Sequence, residues 1–337
     1  MAQLLGLLLL SFFITAVLLV PFIDFLYKIH LSRQSDATKV DTLNKATPIH
    51  TKLLGHKGKR PIGAGVLIVL VTTILSLWSY GMLGIKANIG ELGILLFAMI
   101  SFALLGLYDD IRKNFNKGNS GFFGLRMRHK LVIQIVLGLI IGAFFWFGLK
   151  YDFVNVHWLG SLDVGPLFIP IAAFVVVSFT NAYNITDGLD GLSTGTLIIC
   201  LFAFLALSLT LLHPALALFI AVCIGALIAF LYFNIFPARV ELGDSGALAF
   251  GATLAVVGLL TGKILALTVI GGVFIFEVLS SLIQLLSKHY RHQKVFTVAP
   301  LHLWFMYKGW EEPKVVMRFW LAAILFAIFG LWLGVIK

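Results

Sequence analysis

Ten apolar runs, each about the length a helix needs to cross a hydrocarbon layer, divide this 337-residue sequence from end to end. They fall near 3-26, 63-83, 89-108, 131-149, 166-181, 192-212, 214-234, 246-262, 264-286 and 315-336. In lipid no water satisfies a free backbone N–H or C=O, so such runs fold as helices. The expected fold class is therefore an all-α polytopic membrane protein of about ten transmembrane helices, read as a single transmembrane domain over 1-337. Composition agrees: 60% of residues are hydrophobic, 12% charged, and the mean hydropathy is +1.01. The opening run has no basic n-region or A-x-A-like site and continues to Leu26, so it reads as a span. Cys200 and Cys223 lie inside apolar runs and suit small core residues, with neither a disulfide framework nor a zinc site.

The net charge of +10 would suggest nucleic acid in a soluble protein, but here its distribution matters more. The segments after spans 1, 3 and 9 are rich in Lys and Arg, whereas the opposite side offers only Lys86, Lys150 and Lys263. The positive-inside rule puts the basic segments in the cytoplasm and both termini outside. His213-Pro214 predicts a tight reversal between two spans, because Pro suits a first helical turn. Residues 151–165 alternate enough for a small hairpin on the outer side.

The polar clusters all fall on the side assigned to the cytoplasm. Asn181 to Gly191, with Asn184, Asp187 and Asp190, reads as an acidic loop lacking a nearby basic residue, suited to a cation or a donor-rich ligand. The alternative is an Asp-Gly turn that caps helix ends. Asp109-Asp110 would repel each other at a span end unless a hard divalent ion or a proton relieves them, or they meet water beside Arg112 and Lys113. Gly243-Asp244-Ser245-Gly246 leads into a helix, so Asp244 fits either an N-cap or a place where metal and phosphate meet. His302, set after Ala299-Pro300, reads as a partner for a phosphate or for one of the aspartates, or as a surface histidine. No P-loop, G-x-S-x-G or H-E-x-x-H motif occurs, which removes support from ATPase and hydrolase classes.

Several stretches resemble the polyprenyl-phosphate N-acetylhexosamine-1-phosphate transferases. They are Tyr108-Asp109-Asp110, Asn119-Ser120-Gly121 with Arg128 and Lys130, Asn181 to Gly191, Asn234 with Pro237-Ala238, Gly243 to Gly246, Glu277 to Gln284, and Ala299 to His302 continuing through Lys308 to Trp320. The last run favours the muramoyl-pentapeptide branch. The resemblance implies an inner-membrane enzyme of peptidoglycan biosynthesis. It would move phospho-MurNAc-pentapeptide from its UDP carrier to undecaprenyl phosphate, with Mg2+, leaving UMP and lipid I. Asp244 would hold the metal, with Asp187 as a second candidate, and Asp109 and Asp110 would prepare the lipid phosphate. Asn181, Asn184, Asp187, Asp190, Asn234 and Gln284 would bind substrate, while Lys57, Lys130 and His302 would hold phosphates or the leaving group. Partners would be these two substrates and membrane lipids, with no nucleic acid and a homodimer left open. This chain departs from the family where three histidines are usual, reading His302-Leu303-Trp304, and has Glu241 where an aromatic is common. Transfer of GlcNAc-1-phosphate or another UDP-sugar phosphate is the alternative reading. An ion-coupled transporter is the third, although span interiors hold few ionisable residues apart from Glu277.

Overall fold

The computed structural model describes residues 1–29, 53, 60–82, 89–115, 127–151, 153–156 and 160–336. Its long helices are α1 (Ala2–Lys28), α2 (Ala64–Met82), α3 (Ile89–Phe115), α4 (Met127–Ala143), α5 (Phe168–Thr186), α6 (Leu192–Thr210), α7 (Pro214–Asn234) and α8 (Gly243–Leu260). Then come α9 (Ile264–Ile270), α10 (Gly272–Tyr290), the short α11 (Leu301–Tyr307) and α12 (Glu312–Val335). Among the described residues nine helices are long and apolar enough to cross a membrane, or ten if α9 and α10 count as one span. The protein is thus an all-α polytopic membrane protein.

Burial separates the centre of the bundle from its rim. The most apolar window of α8 is 89% buried and that of α7 78%, against 22% for α1 and 28% for α4. Lipid tails are as apolar as leucine, so close packing rather than escape from water holds such helices together. Small residues at the contacts follow from that. Gly225 on α7 lies against the backbone of α1, where an added Cβ would run into the carbonyl oxygen of Leu8. Gly106 on α3 lies against the start of α8, where a Cβ would meet the carbonyl of Asp244. α3 packs along α8, α1 along α7, α5 along α4 and α8, and α12 along α6.

Two sequence expectations need correction. The run 264-286 is not one continuous crossing, because α9 and α10 meet at 76°. The break falls at Gly271-Gly272, where absent side chains admit the rings of Phe179 and Phe326. Helices also outrun their apolar stretches: α3 continues to Phe115 and α5 to Thr186. Asp109, Asp110, Asn181 and Asn184 therefore stand on helices rather than in loops. The reversal at His213 is present, with Pro214 opening α7. So is the hairpin, in which β1 (Phe153–Val156) pairs antiparallel with β2 (Gly160–Asp163).

The end of the bundle nearest the hairpin has its own polar ties. Tyr151 Oη donates to the Leu260 carbonyl at 2.9 Å, and His213 Nδ1 lies 3.5 Å from Glu91 Oε1. Burial, and then the Glu91 charge, push the Tyr151 phenol up to about 12. The bond to Glu91 raises the His213 pKa above its ordinary 6.5, against the opposing effect of burial. A raised folded-state value makes the pair's contribution complete below pH 6.5 and lost as the pH climbs through the folded value. Thermal melts across that range should show wild-type stability falling with pH more steeply than that of Glu91→Gln. Gly225→Ala should lower stability by about 1–3 kcal/mol through overpacking, read by unfolding in detergent.

Candidate active site at the α3–α8 junction

Adjacent residues on a helix point about 100° apart, and Asp109 and Asp110 accordingly serve different neighbours. Asp110, 8% exposed, turns to the first turn of α8, where it accepts the backbone N–H groups of Asp244 (3.1 Å) and Ser245 (3.0 Å). Those amides have no partner inside their own helix, and a carboxylate is the group a helix N-terminus favours. Asp244 is thus not the cap of α8; it lies in the first turn, held by a cap from another helix.

Asp109, 1% exposed, faces two ammonium groups instead. Lys113, one turn on, lies 3.0 Å from its Oδ2, and Lys130, in the first turn of α4, lies 3.1 Å away. Both lysines also reach Asp244 Oδ2, Lys113 at 2.8 Å and Lys130 at 2.5 Å. Two carboxylates and two cations from three helices therefore meet at one point. Asn184, at the end of α5, places its Nδ2 3.5 Å from Asp244 Oδ1. Lys113 keeps 43% side-chain exposure and Asp244 18%, so the cluster opens to solvent on one side.

Asp187, one turn beyond Asn184, belongs to an adjoining cleft lined by Gly188, Asp190, Asn234, Glu241 and Leu242 as well. Asp187 Oδ1 accepts from Ser193 Oγ. Asp190 is an anchor: its Oδ2 accepts from Arg60 Nη1 (2.6 Å) and from the Ala238 N–H (3.0 Å), while its own N–H donates to Glu312 Oε1 (2.8 Å). The expectation that this turn has no basic neighbour is therefore incorrect; Arg60 supplies one from 130 residues away. Asn234 secures the same turn, accepting from the Gly191 N–H and donating to the Val240 carbonyl.

The remaining residues singled out from the sequence sit deeper or further along. Asn181 donates to Gln134 Oε1 and to the Val177 carbonyl, both at 2.8 Å, one turn inside the membrane from Asn184. On α10, Glu277, Ser280 and Gln284 form a polar strip that grips the segment leading into α11. Gln284 Oε1 accepts from the Val295 and Phe296 N–H groups and its Nε2 donates to the Phe296 carbonyl. Ser280 Oγ accepts from the Leu301 N–H. His302 is neither a surface histidine nor a partner of the aspartates: it is 1% exposed and bonded to Glu277. Lys57 lies outside the described residues.

Sequence reasoning assigned no site role to Arg60 or Glu277, and named Lys113 only as a basic neighbour of Asp109-Asp110. Lys113 carried a signal, its i+4 spacing from Asp109. Arg60 carried none, since its partner is remote in sequence. Among the described residues no three His, Cys, Asp or Glu side chains group as metal ligands. The donor set still suits a hard divalent ion, because two carboxylates aim oxygens at one cationic point and magnesium takes its other ligands from phosphates and water.

Fold and site together define a multi-pass helical membrane protein with a charged site at one end of its bundle. Residues 92–262 match the glycosyl transferase family 4 domain. A phospho-N-acetylmuramoyl-pentapeptide-transferase of Geobacillus sp. (strain WCH70) is 34% identical over 332 residues, 97% of this chain and 96% of the relative. Proteins of the same name are similar in Halalkalibacterium halodurans, at 33% over 97% of this chain and 96% of the relative, and in Bacillus subtilis (strain 168), at 35% over 83% and 85%. The chain belongs to glycosyl transferase family 4, and its place is the bacterial inner membrane. Within the site, Asp190→Ala should lower stability by about 3–5 kcal/mol, since it strands the 12%-exposed Arg60 charge; chemical unfolding in detergent measures it.

Proposed function

We propose that this protein transfers phospho-MurNAc-pentapeptide from UDP-MurNAc-pentapeptide to undecaprenyl phosphate, releasing UMP and forming lipid I. The observation that carries this reading is the convergence of Asp109 and Asp244, from helices 135 residues apart, on the shared ammonium groups of Lys113 and Lys130. Transfer between two phosphate-bearing substrates requires that their negative charges be brought together and that the reacting atoms be aligned. Catalysis of such a reaction is chiefly positioning and electrostatic stabilisation.

In this reading an oxygen of the lipid phosphate forms a bond to the β-phosphorus of the nucleotide substrate, and the bond from that phosphorus to UMP breaks. Lys113 and Lys130, released from their carboxylates, neutralise the diphosphate. Asp109 faces the lipid phosphate and holds its proton, whereas Asp110 keeps the first turn of α8 in place. Asp244 would hold Mg2+, with Asp187 on the cleft side as a second candidate ligand, and the ion would supply charge neutralisation for the transferring phosphoryl group. Asn184 orients Asp244. The cleft beside Asp187 receives the nucleotide part. The site-bearing end of the bundle faces the cytoplasm, in keeping with the basic segments after spans 1, 3 and 9.

The test is UMP release by the purified chain given UDP-MurNAc-pentapeptide, undecaprenyl phosphate and magnesium, with other UDP-sugars as competing donors. Asp244→Ala and Asp109→Ala should each lower turnover by about 10²–10³-fold or more. Asp109 is buried and Asp244 partly exposed, and both are paired with lysines, so each variant is compared with wild type by melting as well. A variant that turns over at the wild-type rate removes its residue from the mechanism, and UMP release from a different UDP-sugar alone reassigns the donor.

A further inference from the structure

Glu277 sits in the second turn of α10, fully buried, and the transfer reaction described above does not use it. A carboxylate taken out of water in an apolar bundle is costly unless its oxygens are compensated. Here both are compensated by a single residue. Oε1 accepts the backbone N–H of His302 at 3.0 Å, and Oε2 lies 2.8 Å from the ring Nδ1 of the same histidine. The grip fixes where the histidine starts and how its ring is turned. The opposite ring atom, Nε2, is aimed at Gly188: a Cβ at that position would stand 2.6 Å from Nε2 and 3.1 Å from Cε1. Gly188 in turn lines the cleft between Asp187 and Asp190.

We infer that Glu277 is a positioning residue of the transfer site, which keeps a proton on His302 Nδ1 and so delivers Nε2 as an acceptor to the Gly188 edge of the cleft, where a hydroxyl or N–H of the nucleotide substrate donates to it. The inference rests on the transfer reading. Its chemistry is that of hydrogen-bond complementarity: an ionised carboxylate only accepts, so the ring nitrogen it faces has to donate, and which nitrogen donates decides what the other can offer. Glutamine has nearly the same volume but reverses this logic. In Glu277→Gln the backbone N–H of His302 still requires an acceptor and takes the amide oxygen. The amide NH2 is then left facing Nδ1, which has to accept, and the proton of the neutral ring moves to Nε2.

Two measurements on the full chain in detergent test this. With 15N-histidine labelling, and His302 assigned by the signal missing from His302→Gln, the wild type should show a protonated Nδ1. Glu277→Gln should shift that proton to Nε2. In the UMP-release assay Glu277→Gln should lower kcat by about 10- to 100-fold with a smaller change in KM. In a His302→Gln background the same substitution should cost nothing further, whereas a purely structural contribution would reduce activity again. An unprotonated Nδ1 in the wild type, which needs no variant to fold, overturns the inference. So does full turnover by Glu277→Gln, or an equal loss in both backgrounds. Absence of UMP release from the wild type would instead overturn the transfer reading beneath it.

Discussion

The structure depends on how closely two helices approach at the place where each leaves the membrane. α3 and α8 touch backbone to backbone at Gly106, and one turn later Asp110 closes over the free amides that begin α8. Neither helix could end there alone. The start of α8 would leave buried N–H groups unmet, and Asp110 would be a buried carboxylate without donors. Their meeting settles both costs and sets Asp244 beside Asp109. The lysines then follow, because two carboxylates held that near each other need positive charge between them.

A division of labour among acidic residues emerges. Asp110, Asp190 and Glu277 each accept a main-chain N–H, Asp190 together with the Arg60 guanidinium, and they build the walls of the site. Asp109 and Asp244 meet the side-chain ammonium groups of Lys113 and Lys130, one of them half exposed, with Asn184 also reaching Asp244, and these are bonds that a phosphate or a metal ion can replace. Residue type does not distinguish the two groups. What distinguishes them is whether a main-chain N–H, which has nowhere to go, is among the opposing donors, or whether all the described donors are side-chain tips.

The same contrast explains the 301–302 corner. α10 is apolar over most of its surface, with Phe276, Leu279, Leu282 and Ile283 exposed toward the lipid side, yet Glu277, Ser280 and Gln284 form one polar strip. That strip satisfies the amides of a segment that would otherwise cross a helix surface unpaired. It also brings α11 back over the Asp187–Asp190 turn, so the bend between α9 and α10 decides where His302 can stand.

Length and hydropathy alone determined the helical membrane architecture, nine of the ten expected crossings and the reversal at Pro214, because a lipid environment leaves the backbone almost no alternative. The pairing of Asp109, Asp244 and Lys130 was legible as a set of unusual residues at span ends, though not as a contact. Only the tertiary structure decided that α9 and α10 break at Gly271-Gly272, that Arg60 neutralises Asp190, that Glu277 owns His302, and that Asp110 caps a helix while its neighbour meets two lysines. The physical reason is one of range. Apolar periodicity is a local property that each segment carries with it, whereas the partner of a buried charge is chosen by packing between segments more than a hundred residues apart.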